Sequence, residues 1–234
     1  MFPDLEVRIR AVADDADEAE QAARAGRKAA ACRFDHLMAE LALGMTLVTT
    51  GRTEDGLELL KKAPWRTDRI GALYFAYAGD VAFGRALAAA GQVQEGLDWL
   101  RGGIEWFERI GNRRAACMAA LELARILIED ANHPGPRGSF RLRLRTLFAG
   151  ATDPFDEARS CLDRVLAARQ SLSMHDACAE ALMLRARLAE RDKDLATARA
   201  ALAEAHALAA SLEWLPLEQR INAEIRRLGA QGDR

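Results

Sequence analysis

The sequence predicts an all-α protein built from stacked antiparallel helix pairs, the arrangement of an α-solenoid. Three observations lead to this fold class. Alanine, leucine, arginine and glutamate dominate the 234 residues and only six prolines occur, which is a helix-forming composition. A short sequence pattern recurs at an offset of 40 residues, from position 51 to position 91. The apolar residues follow a helical period, even through the β-prone stretch 46–50, so no sheet is expected.

The internal repeat defines a helix–turn–helix unit. Residues 51–60 (GRTEDGLELL) match residues 91–100 (GQVQEGLDWL), and each stretch has an apolar, helix-periodic segment before it and another after it. Each stretch therefore marks the turn between two helices, with the tight turn itself at Gly51 or Gly91. Thr53 is predicted to cap the second helix of the first pair.

Small residues set the register of four such pairs. The small site of the first helix is occupied by Gly44, Gly84, Ala124 and Ala186, and the small site of the second helix by Gly56, Gly96, Ala158 and Ala198. Two antiparallel helices approach closely only where their crossing point is small, so large apolar residues are expected around these sites. One pair cannot bury its apolar face alone, and the pairs are therefore expected to stack.

The third pair carries an insertion. Gly96 and Ala158 are 62 residues apart instead of 40, and the chain between them contains the Pro/Gly-rich stretch 134–138. The helix is predicted to resume with Asp153 as its N-cap and Pro154 at its first position.

A single domain covering residues 1–234 is predicted. Its parts are an N-terminal helix or cap at 1–34, repeats at 35–66, 67–112, 113–174 (with the insertion at 129–153) and 175–212, and a C-terminal cap at 213–234. The N-terminal helix is expected to run from Asp14 to about Ala31, after a stub at 5–12. The C-terminal cap is expected to present one apolar face, made of Leu217, Ile221, Ile225 and Leu228.

The spacing of small and large sites from about Asp35 to Leu212 resembles the tetratricopeptide repeat. This resemblance implies a right-handed α-solenoid whose first helices line a concave groove. The period of 40 departs from the usual repeat of about 34 residues, and Gly111-Asn112 closes the second unit in place of a proline. The stretch 77–97 and the interrupted third unit are similar to the C-terminal repeat regions of ATPase-linked class III adenylate/guanylate cyclases and LuxR-type ATP-dependent transcription activators. That similarity implies a regulatory module in signal transduction.

Charge and composition disfavour several classes of partner. The formal net charge is −2, whereas a nucleic-acid or anionic-membrane partner requires a basic surface. No apolar run approaches the ~20 residues of a membrane helix, and residues 1–10 lack the apolar core of a signal peptide. We therefore expect a cytoplasmic protein without nucleic-acid or membrane partners. The four cysteines, Cys32, Cys117, Cys161 and Cys178, are expected to be buried and reduced.

The sequence contains no recognisable catalytic motif. It has no phosphate-binding loop, no dinucleotide-binding glycine pattern, no nucleophile elbow, and no metal-ligand spacing among its four histidines and four cysteines. Acidic clusters at 14–18 and 54–55 fall at predicted helix starts, where they compensate the helix dipole. We therefore predict that the protein is not an enzyme and has no catalytic residue, cofactor or metal.

The candidate binding site is the groove lined by the first helices. The position after each small residue is expected to point into it, and these positions are Met45, Arg85, Arg125 and Arg187. The arginines would form a positive row suited to carboxylates, and Met118 and Met183 would add an adaptable apolar surface. This predicts a partner peptide or helix with acidic and apolar residues. The alternative is that the arginines pair with acids such as Glu40, Asp80, Glu122 or Glu190 and that the apolar residues pack between repeats.

The insertion is a second candidate contact surface. If residues 139–148 are helical, Phe148 lies on an apolar face and Arg141 and Arg145 on another, so the segment would dock a partner or an anionic surface. The alternative is a short helix packed on its own repeats. For the whole chain, the predicted function is a non-catalytic protein-interaction or regulatory scaffold. The alternatives are a small-ligand sensor module of a larger signalling protein, which would bind a small-molecule effector, and an enzyme with unrecognised residues.

Overall fold

The computed structural model describes residues 16–62, 72–132 and 153–232. Within these residues the chain forms eleven helices and no strand, so the predicted all-α class is confirmed. The chain divides into two compact units, residues 1–115 and 116–234. None of the helices in the described ranges is both long and apolar enough to cross a membrane.

The first unit contains five described helices. They are α1 (Ala16–Ala29), α2 (Arg33–Thr49), α3 (Thr53–Lys62), α4 (Ala72–Ala89) and α5 (Val93–Arg109). Helix α1 packs on α2, α2 and α3 form one pair, and α4 and α5 form the next. An apolar cluster that includes Leu41, Leu60 and Phe83 joins α2, α3 and α4.

The second unit begins within the first turn of α6. Its helices are α6 (Arg113–Asn132), α7 (Pro154–Ala167), the single turn α8 (Arg169–Leu172), α9 (His175–Arg191), α10 (Leu195–Ser211) and α11 (Leu215–Gly232). Helices α9 and α10 form the most extensive pair, with α7 packed on α9 and α11 packed on α10.

The close helix crossing predicted from small residues is present in both pairs of the first unit. A Cβ added to Gly56 would lie 2.7 Å from the carbonyl oxygen of Gly44, and one added to Gly96 would lie 2.6 Å from that of Gly84. These distances are shorter than real Cβ atoms tolerate, so the helix backbones touch at these points. Leu60 fills the space beside the first crossing.

The corresponding alanines of the second unit are also buried. Ala124, Ala158 and Ala198 are fully buried and Ala186 nearly so. Each of these positions carries a Cβ that is packed inside the unit, as expected for a small site in a helix interface.

Four helices end in the same hydrogen-bonded turn. The amide of Gly91 donates to the carbonyl of Ala88 (3.0 Å) and the next amide donates to Leu87 (2.9 Å), which is the Schellman arrangement. The same two bonds occur at Gly111, Lys193 and Glu213. These four turn residues all have positive φ, between 52° and 79°. Glycine adopts this conformation freely, whereas lysine and glutamate do so at some cost.

Predicted helix boundaries were partly right. Asp153 caps α7 by accepting a hydrogen bond from the amide of Phe155 (2.9 Å), with Pro154 at the start, as predicted. The prediction for Thr53 was wrong, because it is the first residue of α3 and not the residue before it. Helix α6 continues to Asn132, so the first residues of the proposed insertion are helical. Arg141, Arg145 and Phe148 lie outside the described residues, as does the stub at 5–12.

The C-terminal cap differs from the prediction at one residue. Helix α11 buries Leu217, Ile221 and Leu228, but Ile225 is 39% exposed. Ile225 follows Ile221 by four positions and lies outside the buried stripe that Leu217, Ile221 and Leu228 make on the helix.

The cysteines are also not uniform. All four are free, and Cys117, Cys161 and Cys178 are buried as predicted, but Cys32 is exposed. The sulfur of Cys32 accepts a hydrogen bond from the amide of Asp35 at the start of α2 (3.5 Å), so Cys32 occupies a helix-capping position.

Candidate functional site

The candidate site in the second unit is centred on Arg125, one of the predicted groove residues. Arg125 and Glu122 are one turn apart on α6, which brings the guanidinium Nε within 3.3 Å of the Glu122 carboxylate. A second guanidinium nitrogen donates to Glu180 of α9. Both carboxylates are buried, and the Arg125 side chain is only 16% exposed. Arg125 is therefore the cation that neutralises two buried acids.

The local charges hold Arg125 in its protonated form. Burial by itself would lower the pKa of the guanidinium, but the carboxylates of Glu122 and Glu180 raise it above its ordinary value. Glu180 has a further cation in Arg220 of α11, whose Nη1 is 3.7 Å from its Oε1. Because Arg220 is half exposed, this outer contact is weaker than the inner one.

A second set of ion pairs joins α9 to α11. Arg187 donates to Oε1 of Glu224 at 2.6 Å, and Arg227 donates from Nε to Oε2 of the same carboxylate at 2.7 Å. Arg227 also binds Glu190 with both of its terminal nitrogens, one of them at 2.6 Å. This bidentate geometry is the strong form of an arginine–carboxylate pair.

These contacts shift the ionisation of the groups involved. Burial opposes the charged form of Glu224, but hydrogen bonds from Arg227 and Arg187 prevail and lower its pKa below the usual value. Hydrogen bonds to Glu190 and Glu224 raise the pKa of Arg227. Glu224 and Arg227 are therefore both ionised at neutral pH.

We call these two sets of ion pairs together the charge network. Its members are Glu122 and Arg125 on α6, Glu180, Arg187 and Glu190 on α9, and Arg220, Glu224 and Arg227 on α11. Four arginines face four glutamates, so the network is neutral. An acidic peptide would have to break existing pairs in order to bind Arg125 or Arg187.

The structure places the predicted groove residues in different surroundings. Arg125 and Arg187 are in ion pairs, which is the pairing alternative raised from the sequence, with Glu122 as one of the acids named there. Met183 is buried and Met118 is half-buried. The remaining two, Met45 and Arg85, belong to the first unit and are described separately.

In the first unit, the face made by α2 and α4 combines apolar and charged side chains. Met38, Met45 and Val48 of α2 are half-buried and pack against the apolar cluster. Val81 and Arg85 of α4 are also half-buried. These residues are partly open to solvent, so this face keeps an accessible mixed surface.

The same unit buries one carboxylate in a polar contact. Asp80 of α4 accepts a hydrogen bond from the indole nitrogen of Trp99 at 3.0 Å. The Trp99 ring packs edge-on against Phe83, with 4.5 Å between ring centroids. The hydrogen bond to Asp80 and the ring contact with Phe83 together hold the indole in place.

Sequence reasoning missed half of the second set of ion pairs. Arg227 lies 40 residues after Arg187, so it continues the arginine series into α11. The motif Glu-x-x-Arg at 122–125 also recurs at 224–227. Both signals were present in the sequence, but they become visible only when α11 is counted as another first helix.

No cluster of three or more metal-ligating side chains occurs among the described residues. The pKa of the Cys178 thiol is raised to about 11, mainly by burial. A thiol with such a pKa is protonated at neutral pH and is a poor nucleophile.

Comparison with known proteins returned no relatives. No protein-family model matches the chain, and no curated protein or solved structure is significantly similar to it.

Proposed function

We propose that this protein is a non-catalytic, tetratricopeptide-like α-solenoid that binds a peptide or helix of a partner protein. The observation that carries the proposal is the recurrence of one helix-ending turn. Residues 91 and 193 are 102 apart, as are 111 and 213, and this offset is one period of 40 plus one interrupted period of 62. The same backbone hydrogen bonds at the same repeat positions support a structure assembled from equivalent helix pairs.

The helix crossings of the first unit support the same proposal. Gly44 meets Gly56 and Leu60 in the first pair, and Gly84 meets Gly96 and Leu100 in the second, each at the same offset. Arrays of equivalent pairs expose a row of first helices, and such surfaces serve as binding faces in repeat proteins.

The binding face that we propose is the α2–α4 face of the first unit. Met45 and its neighbours offer a half-buried apolar surface that adapts to different partners, and Arg85 supplies a positive charge. The half-buried methionines favour a partner that carries apolar side chains, and a carboxylate on that partner would be attracted to the guanidinium of Arg85.

The test is a comparison of one face variant with one matched control. Peptides are selected from a displayed random library on the wild-type chain, and their affinities are then measured by titration calorimetry. Arg85→Glu on α4 is expected to weaken binding by about tenfold or more, since a like charge replaces an attraction. Arg109→Glu makes the same charge change at an exposed position of α5 and is expected to leave affinity unchanged. Equal affinity for wild type and Arg85→Glu would contradict the proposed face.

We further propose that this scaffold is a regulatory module of the kind joined to signalling ATPases, with no cyclase activity of its own. The sequence similarity at 77–97 is the basis for this part of the proposal. The purified chain is expected to form no cyclic nucleotide from ATP or GTP in the presence of magnesium or manganese. Detectable turnover, measured by chromatography and mass spectrometry, would disprove it.

A further inference from the structure

The last helix is held by two kinds of contact. Leu217, Ile221 and Leu228 of α11 are buried, and α11 packs along α10. Beside this apolar stripe, Arg220, Glu224 and Arg227 make ion pairs with α9. Helix α11 is thus bound through an apolar stripe and through an adjoining charged stripe.

The charged stripes of α9 and α11 are complementary in order. Along α9 the order is acid, base, acid at Glu180, Arg187 and Glu190, which we call the acid–base–acid row. Along α11 it is base, acid, base, in the sequence Arg220, Glu224, Arg227. The pairs are 180 with 220, 187 with 224, and 190 with 227, so the two helices run in the same direction.

The complementary charge order of α9 and α11 disfavours incorrect registers between the two helices. If α11 slipped by three residues one way, Arg227 would come opposite Arg187. If it slipped three residues the other way, Glu224 would come opposite Glu190. In both cases like charges replace an attractive pair, which is the usual way in which charge patterns exclude wrong partners.

We propose that the acid–base–acid row makes this face of α9 a helix-recognition surface, with α11 as its resident ligand. The surface selects a helix that carries base, acid and base at the spacing of 220, 224 and 227. A partner helix that replaces α11 must carry the same charge order beside an apolar stripe. The sequence of α11 therefore indicates which charges and apolar residues a competing helix must carry.

The apolar stripe and the charged stripe of α11 contribute differently because their interactions differ in strength. Burying one Leu or Ile side chain stabilises a helix contact more than a partly exposed ion pair does. The apolar stripe therefore supplies most of the affinity for α11. The charges supply the choice of helix and register, because a wrong order converts small gains into repulsion.

The first experiment exchanges charges without altering composition. The variant E224R/R227E reverses two charges of α11, and R187E/E190R reverses their partners on α9. Each swap keeps an acid and a base three residues apart on its own helix, so only the contacts between helices are changed. The variant R187E/E190R/E224R/R227E carries both swaps and restores complementarity. Amide hydrogen exchange of α11 is measured in the full chain, with α10 as the internal reference.

We expect α11 amides to exchange about tenfold faster or more in each two-residue swap, and at the wild-type rate in the four-residue variant. Arg226→Glu, next to Arg227 on the exposed side of α11, is the control and should leave the exchange unchanged. Wild-type exchange in both two-residue swaps, or no recovery in the four-residue variant, would overturn the proposal. If a swap unfolds the whole chain, the recovery in the four-residue variant still decides the outcome.

The second experiment tests recognition of a separate helix. A fluorescent peptide with the sequence of residues 213–234 is titrated onto the full-length E224R/R227E chain, and anisotropy is recorded. A second peptide with the same two residues exchanged has identical composition and net charge. We expect the native-order peptide to bind about tenfold more tightly. Equal binding of the two peptides, or no binding of either, would overturn recognition by charge order. Neither experiment requires an external partner, so the outcome is independent of the proposed α2–α4 binding face.

Discussion

The two units use different residues at equivalent positions of the same pattern. In the first unit the helix crossings are made by glycines, and the turns at 51, 91 and 111 are glycines with positive φ. In the second unit the small sites are alanines, and the turns at 173, 193 and 213 are serine, lysine and glutamate with positive φ. The backbone conformation is therefore retained where the residue that favours it has been replaced.

The two units also differ in the partners of their buried carboxylates. In the first, Asp80 is buried and accepts a hydrogen bond from Trp99. In the second, Glu122 and Glu180 are buried around Arg125, which pairs with both of them. Close backbone contact thus organises the helix pairs of the first unit, whereas buried ion pairs join helices of the second.

The largest effect is expected from removing the central cation of the second unit. Arg125→Ala leaves Glu122 and Glu180 buried without their shared partner, and breaking such a pair from one side destabilises by about 3 kcal/mol. Urea denaturation measures the free energy of unfolding. Arg159→Ala is the control, because it removes an arginine that also pairs with two acids but at the surface, and it should change stability by less than about 1 kcal/mol. Similar losses for both variants would show that the buried network has no special role.

In the first unit, the largest loss of stability is expected from adding one methyl group at a helix crossing. The Cβ of Gly96→Ala would lie 2.6 Å from the Gly84 carbonyl oxygen and 3.1 Å from the Ala88 nitrogen, so the helices must separate. We expect a loss of about 2 kcal/mol, typical of overpacking.

Gly102→Ala provides a matched control on the same helix. A Cβ at Gly102 meets nothing within 4 Å, and the residue is exposed. Replacing glycine by alanine there should stabilise the helix by about 0.5–1 kcal/mol. The Tm of Gly96→Ala should therefore fall below that of the wild type, and the Tm of Gly102→Ala should rise above it. A shift of both Tm values in the same direction would contradict the close contact of the two helices at Gly96.

A smaller effect is expected where the second unit lacks a turn glycine. Lys193 has a φ of 63°, in the left-handed region, at the repeat position of Gly91. Lys193→Gly should raise the free energy of unfolding by about 1 kcal/mol, since the left-handed strain is removed. Gly91→Ala should lower it by a similar amount. A destabilised Lys193→Gly variant, measured in the same denaturation series, would contradict the equivalence of the two turns.

The smallest effect is a pH dependence in the charge network. The folded-state pKa of Glu224 is lowered, so its contribution to stability is present above its unfolded pKa and is lost as pH falls through the folded value. Glu224→Gln should therefore lose less stability than wild type between about pH 5 and about pH 3, as measured by thermal melts. Glu105→Gln, at an exposed position of α5, is the control and should follow the wild-type curve. Parallel curves for wild type and Glu224→Gln would exclude a role for this carboxylate.

Local sequence signals predicted much of the secondary structure. Asp153 with Pro154 marked the start of α7, and Gly51 and Gly91 marked turns, because capping and positive φ depend on neighbouring residues alone. The capping role predicted for Thr53 was wrong by one position, because several residues near a helix start are able to cap it. Ile225 was assigned to the buried stripe because the helical period does not define how wide a stripe the neighbouring helices cover.

The candidate site was less predictable. The sequence identified Arg125 and Arg187 as members of a repeating series, but it left open whether they form a positive row for a ligand or pair with nearby acids. The pairing acids Glu180 and Glu224 lie 55 and 37 residues away along the chain. Which acid reaches which arginine depends on the packing of α6, α9 and α11, and no local pattern specifies it.

The all-helical class, the turn positions and the small sites at which helices cross could be read from the sequence alone. These features follow from helix propensity, from the steric freedom of glycine and from side-chain size, all of which are properties of single residues and their spacing. The pairing of Arg125 and Arg187 with glutamates, and the place of Arg227 in their series, became evident only from the packed helices. The reason is physical: a charge is paired or available according to the distance to its partner, and that distance is set when the helices pack.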